Sequence, residues 1–216
     1  VYCGKCVTYC IYGARDIAGK EYTVDEVLKV ALQDKVFYKQ SGGGVTVSGG
    51  EPLMQLDFVY ELLKRLKEEG IHTAVDTSGY VAFDALERVA KYTDLFLYDI
   101  KLMDDEKHKE YIGGSNKLII DNLIKLSKIH DNIYIRMPII EGVNADNDHI
   151  GKTLELIKNL NIKEVNLLPY HDFAKNKYYK LGRTYEEDKM SVPSDEKMNS
   201  YKKMFEKAGY KVKIGG

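Results

Sequence analysis

The chain has 216 residues, of which 44% are hydrophobic, and its 32 basic and 33 acidic residues leave a formal net charge of -1. This length indicates one large domain or slightly more, and the balanced charge excludes a strongly basic face for nucleic acid. No run approaches the ~20 apolar residues of a membrane span, and the N-terminus lacks the apolar stretch of a signal peptide. We therefore expect a soluble, cytoplasmic protein.

The first ten residues contain all three cysteines of the sequence, Cys3, Cys6 and Cys10. An odd number this close together excludes a disulfide scaffold and indicates a metal or cluster site. The spacing matches the last three cysteines of the ferredoxin run C-x2-C-x2-C-x3-C, which binds a four-iron four-sulfur cluster, although Ile11 replaces the usual proline. Zinc bound by three cysteines and one further ligand is the alternative.

The chain begins with Val1 in place of methionine, and the first cysteine of the ferredoxin run would directly precede it. We therefore expect a fragment of a longer protein. Its domains are predicted as the remnant of a ferredoxin-like cluster segment over residues 1–20 and a main domain over residues 21–216.

After the cysteines, apolar strand-like runs alternate with amphipathic helices. Thr23 and Glu26 form a capping-box pattern where the first of these helices begins, and Gly70 is placed for a left-handed cap where the next one ends. Further helices are predicted over residues 118–129, 150–160 and 198–208. Strands rich in β-branched and aromatic residues are predicted over 45–48, 72–77, 94–100, 133–140, 164–170 and 211–214. The longer strands are continuously apolar, which is typical of parallel strands covered on both faces.

This β/α order predicts parallel strands with right-handed crossovers, in either a doubly wound sheet or a barrel-like wheel. In both architectures, ligands bind at the carboxyl ends of the strands. The unusual residues of this sequence are concentrated at those ends: they are the segments 48–52, 76–79, 99–101 and 169–171, with Arg136 and Pro138 on the fourth strand.

Several of these residues have both a functional and a structural interpretation. The Glu51 carboxylate could bind an ammonium group of a ligand, or it could simply place a negative charge in the first turn of the following helix. Asp76 and Asp99, with the Thr77 hydroxyl, could hold a cation, or they cap helices and turns. Lys101 could be a Schiff-base nucleophile, an anion ligand or a solvated lysine.

The histidines divide into one candidate and a solvated group. His171 closes a strand beside Pro169 and Tyr170, which makes it the histidine most suited to a site. His108, His130 and His149 lie in helical surface patterns, and we expect them to be solvated.

The ordered segments together resemble the glycyl-radical-enzyme activating enzymes, which are radical S-adenosylmethionine proteins of the pyruvate formate-lyase activating type. His108 and Gly113 belong to the same pattern. The segments that carry the resemblance are GGVTVSGGEPL at 43–53, DTSGY at 76–80, DLFLYDIK at 94–101, IRMP at 135–138 and LPYH at 168–171.

This resemblance implies a fold, a cofactor and roles for residues. The fold would be α/β, a partial (β/α)6 TIM-like barrel lacking its first strand, with S-adenosylmethionine across its open top. The implied cofactor contacts are Gly49, Gly50 and Glu51 at the methionyl ammonium, Ile100, Lys101 and Arg136 elsewhere on the cofactor, and His171 at its ribose and adenine. The implied monovalent cation ligands are Asp76, Thr77, Asp99 and a backbone oxygen near Leu97.

The resemblance also implies the chemistry and the partners. A reduced catalytic cluster would cleave the cofactor to a 5′-deoxyadenosyl radical, which removes hydrogen from a glycine of a glycyl radical enzyme, either formate-lyase-like, a dehydratase or a choline lyase. Flavodoxin or ferredoxin would donate the electron, and the cysteine segment would bind an auxiliary cluster. The family's C-x3-C-x2-C loop is absent from the 216 residues, so we expect this chain alone to be inactive. The alternatives are a Schiff-base (β/α) lyase using Lys101 and a non-catalytic electron-transfer module.

Overall fold

A computed structural model describes residues 3–17, 19–172, 175–182 and 190–215, with the side chains of residues 175–177 excepted. Within these residues, six parallel strands form one sheet in the order of the sequence. The strands are β1 (Gly44–Val47), β2 (His72–Thr77), β3 (Leu95–Asp99), β4 (Ile133–Ile139), β5 (Ile162–Pro169) and β6 (Lys211–Ile214). All six predicted strands are confirmed, with differences of one or two residues at their ends.

Helices connect the strands, together with a short 3₁₀ turn over Pro52–Gln55. The helices are α1 (Lys5–Thr8), α2 (Val24–Gln33), α3 (Lys35–Ser41), α4 (Leu56–Glu68), α5 (Phe83–Ala90), α6 (Asp105–Ile112), α7 (Lys117–Leu126), α8 (Asn147–Ile157), α9 (Lys175–Lys180) and α10 (Asp195–Lys207). The capping box of α2 is confirmed, since Thr23 Oγ1 accepts from the Glu26 amide and the Glu26 carboxylate accepts from the Thr23 amide. Gly70 has a φ of +69° after α4, as expected.

The two faces of the sheet differ in burial. Along β3 and β4, side chains alternate between buried and half-buried, with Tyr98 and Ile135 fully buried and Asp99 and Arg136 half-buried on the other face. The expectation that the long strands are covered on both faces is therefore wrong for β3 and β4. The sequences of these strands are continuously apolar because hydrophobic residues such as Leu97 and Tyr134 also lie on the half-buried face.

The main hydrophobic core lies between the buried face of the sheet and the helices. It joins strand residues such as Phe96 and Val165 to helix residues such as Leu63, Leu123 and Phe205. A parallel sheet with a helix layer on one face is the arrangement of a partial (β/α) barrel. This confirms the barrel-like alternative over the doubly wound sheet. Among the described residues, no helix is long and apolar enough to span a membrane.

A close contact between Gly79 and Tyr98 joins the carboxyl ends of β2 and β3 to α7. Gly79 has a φ of +70°, and a Cβ atom there would lie 1.8 Å from the Tyr98 hydroxyl. That hydroxyl donates to the Ile119 carbonyl at 2.7 Å. From α7, Asn122 Nδ2 donates to the carbonyls of Gly79 and Val81. The loop after β2 is thus fixed against both β3 and α7.

Two histidines that we expected to be solvated are buried. His108 is 2% exposed and His149 is 4% exposed, so the prediction is wrong for both. Their helices place them on the inward side, where backbone partners replace water. His149 Nδ1 accepts from the Met103 amide at 3.3 Å. Burial lowers the pKa of His149 to about 4, from an ordinary value of 6.5.

The lowered pKa of His149 predicts how stability depends on pH. Between about 4 and 6.5 the unfolded chain binds a proton at this position and the folded chain does not, so stability is lost as the pH falls through that range. We expect His149→Gln, which cannot titrate, to flatten this part of the profile. Urea unfolding measured between pH 4 and 7 checks this. An equally steep profile in the variant would contradict it.

Glu164 is a carboxylate held inside the edge of the sheet. Its side chain is 1% exposed, and it lies 2.6 Å from Lys211 Nζ and 3.1 Å from Lys213 Nζ of β6. Although burial acts in the opposite direction, the two lysines lower the pKa of Glu164 below its ordinary value of 4.5. Both lysines are largely exposed, so they neutralise this buried charge from the solvent side.

Candidate functional site

Three strands contribute to a polar network on the half-buried face of the sheet. Asp76, near the end of β2, accepts from Arg136 at 2.6 Å and from the Ser48 hydroxyl at 2.8 Å. Arg136 belongs to β4, so its side chain passes over β3 to reach Asp76. The predicted candidates Asp76 and Arg136 are therefore brought together, as an ion pair.

Glu51 connects the loop after β1 to the loop after β2. Its Oε1 accepts from the Thr77 hydroxyl and the Leu53 amide, and its Oε2 accepts from the Ser78 amide and hydroxyl. A carboxylate offers about four acceptor positions. The four protein donors therefore fill the acceptor positions of the Glu51 carboxylate. The structural interpretation of Glu51 is supported, because Glu51 caps the 3₁₀ turn over Pro52–Gln55 and also braces the next loop. Its role at an ammonium group stays a prediction.

Asp99 and Lys101 form a second charged pair at the end of β3. Lys101 Nζ lies 3.5 Å from Asp99 Oδ2, and the two side chains are 36% and 23% exposed respectively. Burial raises the pKa of the Asp99 carboxyl, and the nearby Asp76 acts in the same direction, while Lys101 and Arg136 oppose the shift. A carboxylate and an ammonium group thus stand side by side where ligands of parallel sheets bind.

These groups surround a polar cleft with a volume of about 400 Å³. The cleft residues are Ser48, Gly49, Gly50, Glu51, Asp76, Thr77, Ser78, Asp99 and Lys101. At Gly49, whose φ is +139°, and at Gly50, a Cβ atom would meet no heavy atom within 4 Å, so the backbone is open there. Open backbone groups and paired opposite charges suit the amino-acid end of S-adenosylmethionine, which carries an ammonium and a carboxylate.

Other predicted site residues are placed differently. Ile100 is 3% exposed, and its amide donates to the Arg136 carbonyl, so it supports β3 next to the cleft. His171 is exposed, two residues beyond the end of β5, and is not among the cleft residues. The Thr77 hydroxyl donates to Glu51 and accepts from the Gly79 amide. With Asp76 paired to Arg136, the monovalent cation site of Asp76, Thr77 and Asp99 stays a prediction.

The cysteine segment does not form a metal site in the described structure. Cys3 and Cys6 are exposed and Cys10 is half-buried, and all three are free thiols. Over the described ranges, no group of three or more histidine, cysteine, aspartate or glutamate side chains is arranged to hold a metal ion. These residues therefore do not fit a cluster by themselves, and the auxiliary cluster of the segment 1–20 stays a prediction.

Asn144 supports the backbone beside the candidate site, a role that the sequence did not indicate. It is 1% exposed, and its Nδ2 donates to the carbonyls of Lys101 and Pro138, both at 2.7 Å. Its Oδ1 accepts from the Ile140 amide. Asn144 thereby fixes the backbone of Lys101 to the end of β4. An asparagine in a loop carries no pattern of its own, so only the fold reveals this role.

Comparison with known proteins identifies the family. The model of the radical SAM superfamily matches residues 4–162. Over 209 residues, the chain is 46% identical to the trans-4-hydroxy-L-proline dehydratase activating enzyme of Clostridioides difficile, covering 95% of this chain and 69% of that one. It is 32% identical to the pyruvate formate-lyase 2-activating enzyme of Escherichia coli, covering 100% and 75% respectively.

A solved structure agrees with these relatives. The crystal structure of a domain of the pyruvate-formate lyase-activating enzyme of Bacteroides vulgatus superposes with a TM-score of 0.69 at 36% identity, covering 81% of this chain and 99% of that one. Activating enzymes of this family use S-adenosylmethionine and a four-iron four-sulfur cluster. The relatives support the activating enzyme over the Schiff-base lyase and the electron-transfer module. The chain belongs to the radical SAM superfamily and, within it, to the glycyl-radical-enzyme activating enzymes.

Proposed function

We propose that the polar cleft binds the methionyl end of S-adenosylmethionine. The observation that supports this most directly is the Asp99 and Lys101 pair, which offers one charge of each sign beside the open backbone of Gly49 and Gly50. The cofactor, when bound, supplies the radical chemistry that the family uses to activate its partner. The residues of this chain hold and orient it: Asp99 faces the ammonium and Lys101 faces the carboxylate.

In this proposal, Glu51 and Arg136 position other groups. Glu51 already accepts four hydrogen bonds from protein donors, so it shapes the loops and leaves the ammonium to Asp99 and to backbone carbonyls. Arg136 forms an ion pair with Asp76, and its positive charge offsets part of the repulsion that Asp76 exerts on Asp99 and would exert on the cofactor carboxylate. A role for His171 at the ribose and adenine stays part of the proposal, on the basis of the resemblance alone.

We further propose a dehydratase as the first partner to test, because the 46% identical relative is named for a dehydratase. The electron donor is proposed to be flavodoxin or ferredoxin. A reducing compartment such as the cytoplasm suits the three free thiols.

Cofactor binding is tested by removing one charge of the pair. We expect Lys101→Met to weaken binding of S-adenosylmethionine about tenfold, since a hydrogen bond to a charged group contributes roughly 1.5 to 3 kcal/mol. We expect Asp99→Asn to weaken it by a similar factor. Isothermal titration calorimetry with the intact cofactor measures both.

The matched control is Lys152→Met, because Lys152 also pairs with an aspartate, Asp148, and is similarly exposed, but lies on α8. It should leave the dissociation constant unchanged. If Lys101→Met and Asp99→Asn both bind the cofactor as tightly as the control does, the cleft assignment is wrong.

A further inference from the structure

A second, mainly apolar cavity of about 280 Å³ adjoins the polar cleft. It lies between the loops after β2 and β3 and the helices α6 and α7. The two spaces share Glu51, Ser78, Asp99 and Lys101, so a group in the cavity would be next to the cofactor cleft. Its apolar lining includes Ile100, Leu102, Met103, Ile119, Ile120 and Leu123.

His108 is a polar residue of the cavity lining whose ring has a partner among the described residues at only one of its two nitrogens. His108 lines the cavity and is 2% exposed. Its Nδ1 lies 2.6 Å from the Gly114 carbonyl oxygen, which can only accept, so Nδ1 carries a proton, and in this tautomer Nε2 is an acceptor. Nε2 makes no hydrogen bond to any described residue, and it is not among the polar atoms sealed off by protein. An occupant of the cavity would satisfy it with a donor.

The size and surroundings of the cavity favour a side chain of another protein over a free small molecule. An apolar cavity of roughly 150 Å³ already accommodates benzene, so this larger one has room for a substituted aromatic ring. Three further cavity residues are exposed and apolar, namely Met54 at 76%, Tyr80 at 51% and Ile112 at 48%. Such a rim extends the contact surface beyond the cavity, where the flanking residues of a polypeptide would pack.

We propose that the cavity receives a tyrosine side chain from the partner protein, with the phenol hydroxyl donating to His108 Nε2. This proposal rests on the proposed function, because it places a partner segment beside the cofactor cleft. Tyrosine combines an apolar ring with a hydroxyl at its end, which matches the apolar lining and the acceptor Nε2 of His108. The hydroxyl gives specificity, since phenylalanine would leave Nε2 unsatisfied.

The test compares two probes that differ in one hydroxyl, N-acetyl-L-tyrosinamide and N-acetyl-L-phenylalaninamide. Titrations followed by NMR should show that the tyrosine amide binds about fivefold more tightly, the effect of one net hydrogen bond. In His108→Asn, the amide group can still donate to Gly114 while the Nε2 acceptor is lost. We expect this variant to bind both probes equally, which a merely structural role of His108 would not produce.

The Ile112→Trp variant tests whether the probes bind in this cavity. The larger side chain should fill the rim of the cavity and reduce binding of both probes at least tenfold. Ile129→Trp is its control, because Ile129 is 47% exposed and lies outside the cavity lining. The proposal is overturned if the wild-type chain binds neither amide, if it does not discriminate between them, or if Ile112→Trp has no effect. Binding of 4-methylphenol without binding of the tyrosine amide would also overturn it, since that indicates a small phenolic ligand.

Cofactor binding is a separate titration, so the two proposals can fail separately. A chain that binds S-adenosylmethionine but neither amide contradicts the cavity proposal alone. A chain that binds the tyrosine amide through His108 but does not bind the cofactor contradicts the cofactor site, and with it the assignment of the tyrosine to an activation partner.

Discussion

Gly79→Ala is expected to lower the free energy of unfolding by about 3 kcal/mol, because two costs add at this position. A left-handed conformation costs a non-glycine residue about 1 kcal/mol, and the φ of Gly79 is +70°. The new methyl group would also lie 1.8 Å from the hydroxyl of the fully buried Tyr98. Overpacking of this kind costs roughly 1 to 3 kcal/mol. Chemical denaturation monitored by circular dichroism measures the change.

Gly70→Ala separates these two costs. Gly70 has nearly the same φ, +69°, but a Cβ atom there would meet nothing within 4 Å. We expect this variant to lose only about 1 kcal/mol, the cost of the backbone conformation. Equal losses in the two variants would show that the Tyr98 contact is relieved by a small shift of the loop.

The double variant Lys211→Met with Lys213→Met should destabilise the chain by about 3 kcal/mol, because it leaves the Glu164 charge buried and unpaired. Glu164 is 1% exposed, and these lysines are its ion-pair partners among the described residues. Adding Glu164→Leu should recover most of the loss, since removal of the whole charged group avoids the desolvation penalty. No recovery in the triple variant would contradict the assignment of the loss to the charge.

The pH dependence of these variants provides an independent check. In the wild-type chain the pKa of Glu164 is lowered, so its stabilising contribution is present above its ordinary value of 4.5 and is lost as the pH falls through the folded-state pKa. Without the lysines, burial should raise that pKa. The double variant should therefore gain stability, relative to wild type, as the pH falls from about 7 toward 5.

The sequence predicted the strands and several helix ends because their signals are local. The Thr23 and Glu26 capping box and the left-handed Gly70 are contained within a few residues. Helix α5 was missed because Ala82 precedes it without a side-chain cap. The burial of His108 and His149 was also missed, because a histidine on an amphipathic helix gains its partners from other elements, here a helix–helix turn and the loop after β3.

The sequence predicted where the candidate site lies, but it did not predict which side chains form ion pairs or hydrogen bonds within the site. The fold brings Glu51, Asp76, Asp99, Lys101 and Arg136 to one end of the sheet, as the order of strands and helices implied. Which carboxylate pairs with which donor depends on side-chain reach across strands, and the sequence does not contain that information. For the same reason, the sequence could not reveal the apolar cavity beside the cleft.

The alternation of buried and half-buried side chains along β3 and β4 also makes a shift of strand register during folding energetically costly. A one-residue slip in strand pairing turns every side chain to the opposite face. Such a slip in these strands would place Asp99 or Arg136 beneath the helices and turn Tyr98 or Ile135 toward the solvent. Burying an unpaired charge costs several kcal/mol, so misaligned sheets are strongly disfavoured. The charged residues proposed to bind and position the cofactor thus also help to select the native alignment of the sheet.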